Sequence, residues 1–209
     1  MSFITKTIVQ TSRKKPDPYI CDMIREKSQG WDYKHFVDDE IMEFFFENPV
    51  PEFPNVIAKF YTFNYGEHRA DLFRYYYLYV KGGVYIDMDA MLEDNIETIV
   101  GDADFFTVNS SYFPGTVFQG FLGASPKHPL IYKALGDLYN ISTQDLIREF
   151  HVLCKNLYRF IEEEIKNRES VAKIKLLKEV YGNEEDAHVK DGDKLVLIHY
   201  HIKKVIPKK

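Results

Sequence analysis

The stretch that decides the fold is Gly66–Leu92, GEHRADLFRYYYLYVKGGVYIDMDAML. It reads as a helix, a two-glycine turn and a strand that runs into two carboxylates. Arg69, Ala70, Asp71, Phe73, Arg74 and Tyr77 are spaced for a helix with one charged and one apolar edge. Lys81 falls in the expected last turn, and Gly82-Gly83 stops the helix where a positive φ is expected. Val84, Tyr85 and Ile86 have strand-forming side chains, and an extended continuation would put Asp87 and Asp89 on one face.

Two carboxylates converging at the end of a buried strand repel each other and lose hydration unless a cation or hydrogen-bond donors compensate them. A hard divalent ion with oxygen ligands, its shell completed by phosphates, is a natural compensator. An Asp-x-Asp in a solvated loop is the bland alternative. It leaves unexplained the Asp and two Arg on the preceding helix.

At 209 residues the chain reads as one domain, 1–209, long enough to bury a core, or as a domain excised from something longer. A net charge of −5 and a pI near 5.8 argue against a nucleic-acid partner. Cys21 and Cys154 show no metal spacing, and two cysteines fit a reducing compartment. The start, MSFITKTIVQTSRKK, has no apolar signal core, and no run approaches the roughly 20 apolar residues of a membrane span. A cytoplasmic location, or host cytoplasm for a viral protein, is therefore expected.

Along the chain, Phe3–Thr11 reads as a first parallel strand with Gln10 and Thr11 at its C-terminal end, the edge where open α/β sheets bind ligands. A helix over residues 19–28 and a strand over 31–37 follow, then acids Asp38, Asp39 and Glu40 capping a helix over 41–47. Residues 49–54 read as a proline-rich linker, 55–64 as helical or irregular, and 91–100 as a loop or short helix. Asp102 and Asp104 repeat the carboxylate spacing but precede a strand over 105–108, so they read as a turn. Thr116–Ala124 reads as a core strand carrying Gln119 and Gly120. A helix over 129–139 follows, then a largely helical stretch over 145–178, a loop over 182–193 and a last strand over 195–198. Leu146, Phe150, Leu153, Leu157 and Ile161 suit an inward stripe.

The run from Ala70 to Asp89 resembles the DXD sugar-binding region of glycosyltransferase family 32, and is similar to the glucosylating domains of large clostridial toxins. The match is carried by Ala70, Asp71, Arg74, Tyr75, Leu78, Gly82, Gly83, Tyr85, Asp87 and Asp89. The chain is also similar to glycosyltransferase modules of giant algal viruses. Where the family has His-Gln-Thr on its first strand, this chain has Val9-Gln10-Thr11. The family's Thr-Gly-Pro segment in the second half is not found.

The resemblance implies a single-domain GT-A fold, α/β, with a mixed, mostly parallel central sheet flanked by helices. It implies a retaining, metal-dependent transfer of a hexosyl or deoxyhexosyl group from a nucleoside diphosphate sugar, a UDP-sugar first, to a hydroxyl of a glycan or glycoprotein acceptor. Asp89 would be the main ligand of Mn²⁺ or Mg²⁺, with Asp87 on the ribose or on the ion through water. Asp71 would accept hydrogen bonds from sugar or ribose hydroxyls, oriented with Arg74; Arg69 is a further neighbour. Gln10 and Thr11 would meet the nucleotide, and Gln119 and Gly120 the sugar. His199 or His201, with His199 preferred, would supply a third metal ligand, and Lys203, Lys204, Lys208 and Lys209 would hold phosphates or form a tail. Two other function classes share parts of this pattern. One is a carbohydrate- or nucleotide-sugar-binding module that has lost turnover. The other is a metal-dependent phosphohydrolase or nucleotidyltransferase, which would place its carboxylate pair on an early strand rather than mid-chain.

Overall fold

The computed structural model describes residues 3–182, 186–201 and 206–207. In chain order its elements are β1 (Thr7–Thr11), α1 (Pro18–Lys27), β2 (Asp32–Phe36), α2 (Asp38–Glu47), α3 (Val56–Thr62), α4 (Gly66–Lys81), β3 (Gly83–Ile86), β4 (Ala90–Leu92) and α5 (Ile96–Val100). Then come β5 (Phe105–Asn109), β6 (Val117–Ala124), α6 (Pro129–Asn140), α7 (Thr143–Arg148), α8 (Val152–Lys166), β7 (Ile174–Tyr181), β8 (Ala187–Asp191) and β9 (Lys194–His199). Among the described residues the strands form one sheet in the order β2-β1-β3-β6-β5-β7-β8-β9-β4.

The expected mostly parallel sheet is corrected here. The pairings β1–β2, β1–β3 and β5–β7 are parallel, whereas β3–β6, β5–β6, β7–β8, β8–β9 and β4–β9 are antiparallel. Connection length accounts for part of this. Parallel neighbours need a crossover of a dozen or more residues, while β5–β6, β7–β8 and β8–β9 close over short links. The pairings β3–β6 and β4–β9 bring together strands far apart in the chain. The N-terminal half supplies crossovers through α1 and through α2–α4; the C-terminal half joins β8 to β9 through only Gly192 and Asp193, with Gly192 at φ +60°. That turn lies inside the stretch expected to be a loop, and β7 begins inside the stretch expected to be helical.

Each strand alternates its side chains between two cores. Ile8, Val84 and Ile86 join Ile24, Ile96 and Val108 on one face, whereas Val9 and Tyr85 join the aromatic core under α2, α4 and α6 on the other. Helix α4 is buried almost all round from Leu72 to Tyr79, so its expected charged edge does not face water. Phe44 and Phe45 of α2 pack edge-on against Phe73 and Tyr76 of α4. Tyr76 satisfies its hydroxyl by donating to Asn48 O at 2.8 Å and accepting from Val50 N at 3.0 Å.

The α4–β3 turn needs both glycines. Gly82 has φ +68° and Gly83 φ +114°. A Cβ on Gly82 would lie 2.6 Å from Pro126 Cδ, and one on Gly83 2.7 Å from Thr7 O. Closing the turn this tightly brings β3 straight back along α4, which aims the end of β3 at the middle of the helix. Among the described residues no helix is long and apolar enough to cross a membrane.

Candidate active site

Strand β3 ends at Ile86, and the chain then turns: Ala90 N donates to Asp87 O at 3.1 Å before β4 begins. Asp87 continues the alternation that puts Tyr85 on the α4 side of the sheet, and there it meets Arg74, whose Nη2 is 3.4 Å from Asp87 Oδ1. Asp89 lies past the turn and has a different neighbour. Its carbonyl accepts from Tyr200 N at 2.9 Å, and β4 pairs Ala90 with His199, so His199 Nε2 stands 3.7 Å from Asp89 Oδ1. The two carboxylates are therefore held from opposite sides, one by the helix and one by the last strand.

Arg74 is buried, with its Cζ 4.3 Å above the Tyr85 ring and its Nε 3.6 Å from Asp71 Oδ1. Burial opposes its charge, but Tyr85 and the carboxylates of Asp87 and Asp71 outweigh that, and the guanidinium pKa is raised. Asp71 is buried enough that loss of hydration pushes its carboxyl up to about 6 against the pull of Arg74. Gln119, also buried, reaches Asp71: with its amide oxygen accepting from Cys154 N at 3.0 Å, its nitrogen is 3.3 Å from Asp71 Oδ1 and 2.7 Å from Tyr75 Oη. His199 stacks on Phe118 at a centroid distance of 4.2 Å. Burial disfavours its charged form, yet Asp89, and behind it Asp87, prevail and raise its pKa.

Gln10 is fully buried rather than open to the cleft. Its amide donates to Asp87 O at 3.2 Å and accepts from Tyr33 Oη at 2.8 Å, so it pins the carboxylate loop from beneath. Thr11 lines the cleft and donates its hydroxyl to Phe36 O at 3.0 Å. Gly120 accepts from Asp87 N at 2.8 Å, and a Cβ there would lie 2.2 Å from Asp87 Oδ2, so only glycine lets Asp87 lie against β6. Arg69 donates to Phe63 O at 3.0 Å and lies 3.9 Å from Asp38.

Of these groups Thr11, Arg69, Arg74, Tyr85, Asp87 and Asp89 line a cleft of 710 Å³, together with Arg13, Asp38 and Glu67; Asp71, Gln119 and His199 stand behind its wall. Arg13, read as part of a turn in the sequence, stands at the N-terminus of α4; its nearness across some 50 positions of chain has no local signal. Phe118 was likewise invisible, because only the β4–β9 pairing brings His199 over it. Lys203, Lys204, Lys208 and Lys209 lie outside the described residues, and His201 lies 5.7 Å from His199, ring to ring.

Over part of its length the chain is similar to known proteins. A family described as glycosyltransferase sugar-binding region containing DXD motif matches residues 14–106. The chain is 34% identical over 139 residues to the mannosyl phosphorylinositol ceramide synthase SUR1 of Saccharomyces cerevisiae, covering 65% of this chain and 35% of the relative. It is 27% identical over 134 residues to inositol phosphoceramide mannosyltransferase 1 of Schizosaccharomyces pombe, covering 64% and 37%. An uncharacterized glycosyltransferase, L373, of Acanthamoeba polyphaga mimivirus is 32% identical over 108 residues, covering 50% and 39%. Residues 14–106, which contain Asp87-Met88-Asp89, are thus similar to a glycosyltransferase sugar-binding region with a DXD motif. The matched stretches span a little over a third of the length of these relatives. In fold it is similar to the solved PaToxG glycosyltransferase, with a TM-score of 0.54 at 15% identity, covering 78% of this chain and 70% of that one.

Among the described residues no group of three or more His, Cys, Asp or Glu side chains could hold a metal ion. Asp87 and Asp89 are oxygen donors that face the cleft, and an ion held there would take the rest of its shell from substrate oxygens.

Proposed function

We propose that this domain transfers a hexosyl or deoxyhexosyl group from a nucleoside diphosphate sugar to a hydroxyl of a glycan-like acceptor, with retention of configuration and with Mn²⁺ or Mg²⁺ at Asp89, Asp87 and His199. The observation that carries this is the placement of Asp87 and Asp89 at one cleft, held from opposite sides by Arg74 and His199. When bound, the cation would neutralise charge growing on the departing diphosphate. Arg74 and the Gln10 amide keep Asp87 in place for the ribose or the ion. Asp71, backed by Arg74 and Gln119, accepts hydrogen bonds from donor hydroxyls. No carboxylate is assigned as a nucleophile in this reading, so attack comes from the face the leaving group departs, with the acceptor proton passing to a departing phosphate oxygen.

Membership of family 32 and a uridine carrier rest on the motif resemblance; the names of the fungal relatives favour mannose as the sugar. The test is a thermal-shift screen of UDP-, GDP- and dTDP-sugars with and without Mn²⁺. A metal-dependent rise with one carrier supports the reading, since ligand bound to the native state raises its stability. No shift with any of them would overturn it.

A further inference from the structure

We infer that the acceptor approaches through a second, aromatic groove behind His199, and that this groove takes the apolar face of a six-membered polyhydroxylated ring. The inference rests on the glycosyltransferase reading above. The groove, 320 Å³, shares its walls with the carboxylate site through two residues: His199, which faces Asp89, and Gln119, which reaches Asp71. A molecule in it lies beside the place where the donor sugar would meet Asp71 and the two DXD carboxylates.

Its chemistry differs from that of the cleft. Arg13, Arg69 and Arg74 line the cleft beside Asp38, Glu67, Asp87 and Asp89, whereas no Lys or Arg lines the groove among the described residues. A neutral occupant is therefore favoured there. Its walls carry the rings of Tyr112, Phe113, Phe118, His151, His199 and His201, with Phe113 4.2 Å from His151 and Tyr112 5.1 Å from His201, centroid to centroid. Phe113 is 50% exposed, apolar surface left in water until something covers it. Glu179 brings a buried carboxylate to the wall, but its Oε2 is already engaged by Ser110 Oγ at 2.7 Å and Ser111 N at 3.1 Å. With so few polar groups, the groove recognises a ring by its C–H face and leaves the hydroxyl on the opposite edge to point at the donor. Pyranosides and cyclitols share that shape.

The test measures wild type, Phe113→Ala and His151→Ala side by side. Calorimetry with UDP and GDP plus Mn²⁺ reads the cleft; saturation-transfer NMR with methyl α-D-mannopyranoside and with myo-inositol reads the groove. The expected result is transfer to ring C–H protons that falls about fivefold in both variants, the size of one aromatic contact, with nucleotide affinity unchanged. Phe113 is half-exposed, so its truncation leaves the core intact and decides the matter if His151→Ala unfolds. Wild type that binds nucleotide but neither ring, or ring binding indifferent to both variants, would overturn the groove and leave the donor reading standing. Wild type that binds no nucleotide would bring down both. Loss of binding to phosphatidylcholine–phosphatidylserine vesicles in the variants, with ring binding unchanged, would make the patch a membrane contact and overturn the inference.

Discussion

Asp87 and Asp89 are two residues apart, but each answers to a different part of the chain, and their substitutions should separate accordingly. Asp89→Ala removes the carboxylate facing His199 at the end of the last strand; we expect the fold to persist and metal-dependent nucleotide binding, followed by calorimetry, to disappear. Gly120→Ala acts on Asp87 without touching it chemically. The new methyl would fall 2.2 Å from Asp87 Oδ2, so the carboxylate must swing away, and nucleotide affinity should fall about tenfold or more, a loss of roughly 1.4 kcal/mol. Asp71 makes a prediction about pH. Its carboxyl is pushed up to about 6, so the native state binds a proton that the unfolded chain has already lost above its ordinary value of 3.8. The stability contributed by the neutral form is complete below pH 4 and lost as the pH rises through 6. Asp71→Asn keeps the neutral form throughout: it should match wild type near pH 4 and exceed it at pH 7 to 8 by at most about 3 kcal/mol in urea unfolding, while losing donor affinity. A variant less stable than wild type at pH 8 would contradict that account.

At the scale of elements, the helix–turn–strand unit α4–β3 does most to shape the site. Its helix was legible because propensity, the 3.6-residue pattern and the Gly82-Gly83 stop agree. Its burial was not: the covering rings of Phe44, Phe45 and Phe60 come from α2 and α3, and no local pattern announces which side of a helix a distant segment will cover. Gly83→Ala should cost about 1–3 kcal/mol and lower Tm, since the residue would combine a φ of +114° with a methyl 2.7 Å from Thr7 O. A shift within the error of the melting measurement would show that the turn can relax. The hairpin of β8 and β9 has the opposite history. Asp191-Gly192 is a turn signal, but its flanking charges at Lys190, Asp193 and Lys194 make the stretch read as a loop. In the fold Asp191 and Lys194 sit at the exposed end of the hairpin and find partners outside it, where Lys175 reaches Asp191 and Lys194 reaches Asp94.

For the whole molecule, a ligand that fills the cleft beside Asp87 and Asp89 should stabilise everything packed around it. A nucleotide sugar with Mn²⁺ at about 100 times its Kd should add about 2.7 kcal/mol, and for a chain of this size each kcal/mol moves Tm by about 2–4 °C. Chelation of the metal should return Tm to its starting value; a shift that survives the chelator would mean that nucleotide binds without the ion. The relatives named for mannosyl transfer to inositol phosphoceramide are nearly three times as long as the matched region, so acceptor recognition in them has more chain to draw on.

The residues alone determined the local unit and its chemistry: a helix, a glycine turn and a strand delivering Asp87 and Asp89, with Asp71 and Arg74 one turn apart on the helix. These depend on interactions within a few positions, which spacing encodes. Tertiary structure alone decided the mainly antiparallel sheet, the burial of Gln10 beneath Asp87, the close seat of Asp87 against Gly120 and the approach of His199 to Asp89. Each depends on which strands become neighbours, and that follows from packing over the whole chain rather than from any one stretch of it.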